Sequence, residues 1–197
     1  SSYNKNAPIS NHIFLSLVEL TPGIIWVGGY NSGVYKINKR TRQSELLLSN
    51  EVQHIDLPDK CIRAILRDKD QNIWMGGYYN LKLYSPAEER LRYYSNLNSI
   101  TSLVEKDSNS IWIGSAKGLY LLDKKSGDSR QIDLPTQSAY IHALHQDANE
   151  TLYIGTNEGL LIFKPHMGSF EHLHKDNSLF FTNSIRSIVA DSNSPTL

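Results

Sequence analysis

A fourfold internal repeat limits what this chain can fold into. An aromatic residue, an apolar residue and a glycine recur as Trp26-Val27-Gly28, Trp74-Met75-Gly76, Trp112-Ile113-Gly114 and Tyr153-Ile154-Gly155, at spacings of 48, 38 and 41 residues. Another apolar side chain stands eleven residues before the residue preceding each aromatic, in the pairs Phe14/Ile25, Ile62/Ile73, Ile100/Ile111 and Ile141/Leu152. Six or seven residues after the aromatic comes Gly33, Asn80, Gly118 or Gly159, followed by an apolar run. These four are expected to take a positive φ, which glycine adopts freely and asparagine tolerates better than most residues. Agreement at three offsets in four copies makes each copy one structural unit of about 40 residues.

The second copy shows what that unit is. Ile62-Arg63-Ala64-Ile65-Leu66 reads as strand A and Ile73-Trp74-Met75-Gly76-Gly77 as strand B. Leu81-Lys82-Leu83-Tyr84 follows as strand C and Leu91-Arg92-Tyr93-Tyr94 as strand D. The segments between them, such as Asp68-Lys69-Asp70-Gln71-Asn72, are turn-forming, and no window sustains a helical period. Four short strands per copy, in tandem, are the signature of propeller blades. A single twisted sheet cannot bury both its faces, so successive blades must pack face to face. The large ring of Trp26, Trp74, Trp112 or Tyr153 then fills the wedge between blades. Gly28, Gly76, Gly114 and Gly155 lie on the same strand face as those rings, two residues on, and leave room for a neighbouring blade.

The fold expected is therefore all-β, a β-propeller fragment of four four-stranded antiparallel blades plus partial strands of flanking blades. Residues 1–10 read as the tail of a preceding blade, 11–60 as blade 1, 61–98 as blade 2, 99–138 as blade 3 and 139–182 as blade 4. Residues 183–197 read as the first strand of a fifth. Ser1-Ser2-Tyr3-Asn4 resembles a strand D end, and Ile185-Arg186-Ser187-Ile188-Val189 a strand A. Incomplete blades expose apolar faces and strand edges, so self-association is expected. The extra length of the first copy is placed around Ser44 to Gln53, in or beside the C–D hairpin, because His54-Ile55-Asp56-Leu57-Pro58 resembles Gln131-Ile132-Asp133-Leu134-Pro135.

This repeat resembles the two-component regulator propeller repeat, whose pattern is roughly I-x-x-L-x-x-D-x-x-G-x-I-W-I-G-T-x-x-G-L. The copies from Ile100 to Leu122 and from Ile141 to Phe163 fit it best, and the A–B turn glycine survives only as Gly23. The resemblance implies the extracytoplasmic, periplasmic sensor region of a membrane histidine kinase, with carbohydrate as the class of signal and the receptor's remaining blades as partners. It also brings to mind propeller lyases of similar blade design, and a plain protein-interaction scaffold is the other alternative.

Charge and composition narrow the partners. Twenty Lys and Arg balance twenty Asp and Glu, with no basic run, which argues against nucleic-acid binding. The apolar runs fall far short of the ~20 residues of a spanning helix, so no direct membrane insertion is expected. The one cysteine, Cys61, excludes an internal disulfide and reads as a small buried residue. No catalytic motif appears, and no metal or other cofactor is expected. His142 and His145 are an odd number apart on a strand A, and His172 and His174 share a strand D face that reads as solvated. The candidate ligand contacts are Tyr30, Tyr78 and Tyr79 in the B–C loops, where rings beside amides suit a sugar or other small ligand. Trp112→Ala is expected to lower stability by about 3–5 kcal/mol, read as a lower melting temperature. An unchanged melt would remove the ring from the core.

Overall fold

The computed structural model describes residues 12–48, 60–94, 96–136 and 140–190. Its first sheet is β1 (Phe14–Thr21), β2 (Ile24–Gly29), β3 (Val34–Asn38) and β4 (Gln43–Leu48). The second is β5 (Ala64–Arg67), β6 (Ile73–Gly76), β7 (Leu81–Ser85) and β8 (Arg90–Tyr94). The third is β9 (Ile100–Asp107), β10 (Ser110–Ser115), β11 (Gly118–Asp123) and β12 (Ser129–Ile132). The fourth is β13 (Ile141–Gln146), β14 (Leu152–Thr156), β15 (Leu160–Lys164) and β16 (Ser169–Leu173). Each is a four-stranded antiparallel meander in sequence order, with strands A to D as the repeat implies. Among the described residues no helix is long and apolar enough to cross a membrane. The chain divides into two compact units, residues 1–103 and 104–197.

Within each unit, the aromatic face of one blade packs on the opposite face of the next. In the first unit Trp26 and Val34 of blade 1 join Ile62, Ile73 and Met75 of blade 2. In the second unit Trp112 and Leu119 of blade 3 meet Ile141, Leu144, Leu152, Ile154, Leu161 and Phe163 of blade 4. Side chains alternate between strand faces, so Ile73 and Met75 face back while Trp74 and Gly76 face forward. Burial on both faces is why the B strands read as unbroken apolar runs. Trp26, Trp74 and Trp112 are all buried. Trp26 stacks tilted on Tyr84 at 5.7 Å between ring centres, and Trp112 meets Phe163 edge-on at 5.9 Å.

The glycine after each aromatic marks the closest approach. A Cβ on Gly28 would stand 2.5 Å from Cγ2 of Ile62, and one on Gly114 2.7 Å from Cγ2 of Ile141. A Cβ on Gly76 would run into Cγ2 of Ile100, and one on Gly155 would meet the Ile185 carbonyl oxygen at 2.6 Å. The apolar residue that opens strand A thus sits in the space left by the previous copy's glycine. Two of the repeat's signals are the two sides of one contact.

The A–B turns hold the aromatics from below. In blade 2, the Asn72 amide donates to Asp68 Oδ1 at 2.9 Å and Trp74 Nε1 donates to Asp68 Oδ2 at 2.8 Å. In blade 4, Asp147 Oδ1 accepts from the Asn149 and Thr151 amides, both at 2.9 Å, and its Oδ2 takes the Tyr153 hydroxyl at 3.3 Å. In both turns the residue three after the aspartate is left-handed, Gln71 at φ 69° and Glu150 at φ 63°. They stand where the repeat pattern has glycine. In blade 3 the Trp112 indole instead donates to Gln146 Oε1 of the next blade at 2.8 Å, while Gln146 Nε2 donates to the Lys106 carbonyl at 3.0 Å.

Three expectations need correction. Gly33, Gly118 and Gly159 have positive φ but Asn80 does not; it is a buried side chain instead, so blade 2 turns from B to C without a left-handed residue at that point. Residues Ser44 to Leu48 belong to strand D, with Leu48 opposite Val34 as Ile132 is opposite Leu119. The extra length of blade 1 therefore follows strand D, between residues 48 and 60, and His54 to Pro58 lie outside the described residues. Among the described residues Ile185 to Val189, read as a strand A, pair with no other strand. Ile185 alone is locked in place, its N–H on the Thr156 carbonyl at 2.9 Å. His172 and His174 are half-buried rather than solvated, with rings 4.9 Å apart and His172 Nε2 2.8 Å from the Glu158 carbonyl oxygen. The segment expected as a preceding tail, Ser1 to Asn4, lies outside the described residues.

Tyr153 is half-buried, unlike the three tryptophans. It borders an open groove of about 660 Å³ whose lining includes Leu160, Ile162, Ile185 and Ile188.

Gly114→Ala should destabilise the chain by about 1–3 kcal/mol through overpacking. In a double-mutant cycle with Ile141→Ala the two costs should not add, because removing Cγ2 of Ile141 removes the clash. Simple additivity in urea melts would mean that the two residues do not meet. Asp68→Asn should cost about 1–3 kcal/mol, since the Asn72 and Trp74 N–H groups would share one acceptor oxygen and one of them would face an NH2 group. Intrinsic fluorescence during unfolding reads this directly.

Candidate functional site

The B–C loops are built on the blade-to-blade contact. The residue that opens each new strand A donates its N–H to the carbonyl just past the preceding strand's glycine: Ile62 to Gly29 at 3.0 Å, Ile100 to Gly77 at 2.8 Å and Ile185 to Thr156 at 2.9 Å. These bonds pin the start of one blade beside the B–C loop of the blade before. In blade 1 the Gly33 N–H also donates to the Lys60 carbonyl at 3.0 Å, and in blade 2 the Ser99 N–H donates to the Tyr78 carbonyl at 2.7 Å. In blade 4 a hydroxyl completes the turn, with Thr156 Oγ1 donating to the Gly159 carbonyl at 2.9 Å while accepting the Glu158 N–H at 3.0 Å. Ser115 does the same work in blade 3.

On this frame Tyr30, Tyr78 and Tyr79 project outward, 51%, 41% and 69% exposed. That is far from the near-complete burial of the tryptophans, so these rings are not held for core packing. Tyr30 follows Gly29 directly, and its N–H donates to the Ile13 carbonyl at 2.7 Å. The Arg63 guanidinium lies over the Tyr78 ring, 5.4 Å from its centre. Arg63 is the residue after Ile62, so it stands between the Tyr30 loop, which Ile62 bonds, and the Tyr78 loop, which it covers. Its own N–H donates to the Gly76 carbonyl at 2.8 Å. The residues leading into β5 thereby link the two tyrosine loops.

Cys61 is buried in that segment. His142 Nε2 lies 2.6 Å from Asn157 Oδ1 in blade 4. Burial and the neighbouring Asp147 carboxylate raise the Tyr153 hydroxyl pKa above the ordinary phenol value, which keeps it a neutral donor. Among the described residues no three His, Cys, Asp or Glu side chains converge as metal ligands would. Arg63, Asp68 and Asp147 were not singled out from sequence. The aspartates had a readable signal, since each stands six residues before its aromatic, whereas nothing local marks Arg63 as a partner of Tyr78.

Comparison with known proteins agrees with this architecture. A family model described as two component regulator propeller matches residues 56–79, which span strands A and B of the second copy. Two structures of the extracellular domain of BT4673 from B. thetaiotaomicron, titled in one case a one component and in the other a hybrid two component system, are 22% and 24% identical. They superpose with TM-scores of 0.76 and 0.75 over 98% and 91% of this chain, and 26% and 25% of theirs. The extracellular domain of the hybrid two component system BT3049 from the same organism is 18% identical, with a TM-score of 0.70 over 86% of this chain and 25% of that one. A catalytically inactive virginiamycin B lyase from Staphylococcus aureus, solved with quinupristin, is 12% identical, with a TM-score of 0.65 over 84% of this chain and 57% of the lyase. The chain spans about a quarter of the length of the receptor domains it matches. No curated protein matches it. The repeat, the four meanders and the solved structures agree on a propeller architecture, and the family match covers residues 56–79 alone.

Proposed function

We propose that this chain is part of the signal-input propeller of a membrane two-component receptor, a histidine kinase whose sensor region lies in the periplasm. Its own work is binding, not catalysis, and the ligand is a carbohydrate held at the B–C end of blades 1 and 2. The observation that carries this reading is the exposure of Tyr30, Tyr78 and Tyr79 on a backbone fixed by the blade-to-blade hydrogen bonds. Aromatic faces on a rigid frame suit sugar rings, because little conformational freedom is lost on binding. Likeness to extracellular domains of two component systems supports the receptor setting. A ligand bound there would signal only through a difference in affinity between the receptor's two states.

Thermal melting of the chain against an oligosaccharide panel tests the binding step. A ligand that binds the folded chain raises the melting temperature, by about 2.7 kcal/mol of added stability at a hundred times Kd. Tyr79→Ala should abolish that rise while leaving the unliganded melt within a degree or two. If no oligosaccharide in the panel shifts the melt, the carbohydrate reading fails. The open reading frame is expected to encode a membrane span and a histidine kinase as well.

A further inference from the structure

We propose that the cleft between the outer strands of blades 3 and 4 is a second ligand site, for a small aromatic carboxylate, with Arg130 binding the carboxylate group. The site is separate from the B–C loops of blades 1 and 2 and does not rest on the carbohydrate reading. The cleft is an open groove of about 530 Å³, a size that suits a small organic ligand. One wall is the forward face of blade 3, where Trp112 stands opposite Leu121 and Leu121 opposite Arg130 across β10, β11 and β12. The other wall carries Phe163 and Phe170 of blade 4, stacked with 4.3 Å between ring centres. The Trp112 indole is bonded to Gln146 across the same junction. Aromatic walls fixed by two packed blades hold an apolar body at little cost in ordering.

The charges of the groove give the second support. Six residues before the aromatic, where blades 2 and 4 carry Asp68 and Asp147, blade 3 carries Lys106. Lys106 lines the groove, with its ammonium half-buried and held by the Asp107 carboxylate. Arg92 and Arg130 take the same place on strand D of blades 2 and 3, opposite Leu83 and Leu121. Arg92 is tied to Glu88 at 3.0 Å, whereas Arg130 makes no hydrogen bond, ion pair or ring contact. Two acids also line the groove. Glu150 Oε2 is engaged by His166 Nε2 at 3.0 Å, and Asp133, past the end of β12, forms no ion pair with Arg130. The guanidinium is thus the cation left to receive a ligand. Its planar fork of N–H donors matches the two oxygens of a carboxylate, and a ring beyond that carboxylate meets the aromatic walls.

Calorimetric titration of the chain with 3-phenylpropionate, with its neutral amide and with acetate tests ring and charge separately. The phenylpropionate should bind about 10-fold or more tighter than either of the others. Arg130→Gln, at an exposed position, should lower its affinity to that of the amide, and Arg130→Lys should restore part of the loss. An NMR titration of the wild-type chain places the ligand: the assigned indole N–H signal of Trp112 should shift, and those of Trp26 and Trp74 should stay. Equal binding of acid and amide, equal binding of acetate, a shift confined to the other two indoles, or no binding by phenylpropionate overturns the proposal. The wild-type titrations decide the question even if a variant does not fold.

Discussion

The fold depends on a single steric fit, repeated along the chain. Strand B of each blade carries a glycine where the next blade's first aliphatic side chain presses in, and a methyl group at that glycine would overlap the Ile62, Ile100 or Ile141 side chain or the Ile185 backbone. The neighbouring aromatic then fills the wider part of the wedge, and the N–H of the same isoleucine bonds the carbonyl beyond the glycine in blades 1, 2 and 4. Shape, ring packing and hydrogen bonding are thus concentrated at one point per junction. Close-packed interiors respond to changes of a single methylene, so these glycines are as constrained as the tryptophans.

Much of this was legible because it is periodic. The strand order, the four aromatics and the strand A aliphatics all follow from offsets that recur in each copy, and the chain forms four equivalent meanders. What the offsets could not show was that the glycine of one copy and the aliphatic of the next are partners. Errors arose where a copy departs from the pattern. Asn80 has the residue type of a left-handed position, but its φ is not positive and its side chain is buried just before β7. The resemblance of His54-Pro58 to Gln131-Pro135 misplaced the insertion, since apolar residues at Leu46 and Leu48 already complete strand D. His172 and His174 were misjudged because a strand D edge is covered when its own B–C loop folds back to it.

The two ends of a blade use different chemistry. At the A–B end of blades 2 and 4 an aspartate closes the turn and takes the polar edge of the aromatic above it, so those side chains are committed to the fold. At the B–C end the backbone itself, helped by Ser115 or Thr156, closes the turn. The exposed tyrosines fall at the end where sequence can vary without weakening a junction, which is where scaffolds commonly carry recognition residues. Their arrangement was only partly legible, because the link between the Tyr30 and Tyr78 loops runs through Arg63 in an intervening strand.

The steric fit also bears on how such a chain changes length in evolution. Each junction needs only a glycine-bearing strand B on one side and an aliphatic at the head of strand A on the other. Excising residues 62–99 would place Ile100 after Lys60-Cys61, in the seat that Ile62 occupies against Gly28. The seam would meet a side chain of the same identity with the same backbone donor. Unequal crossing-over between copies can therefore add or remove a whole blade without inventing a new interface, and selection on blade number is separated from selection on blade packing.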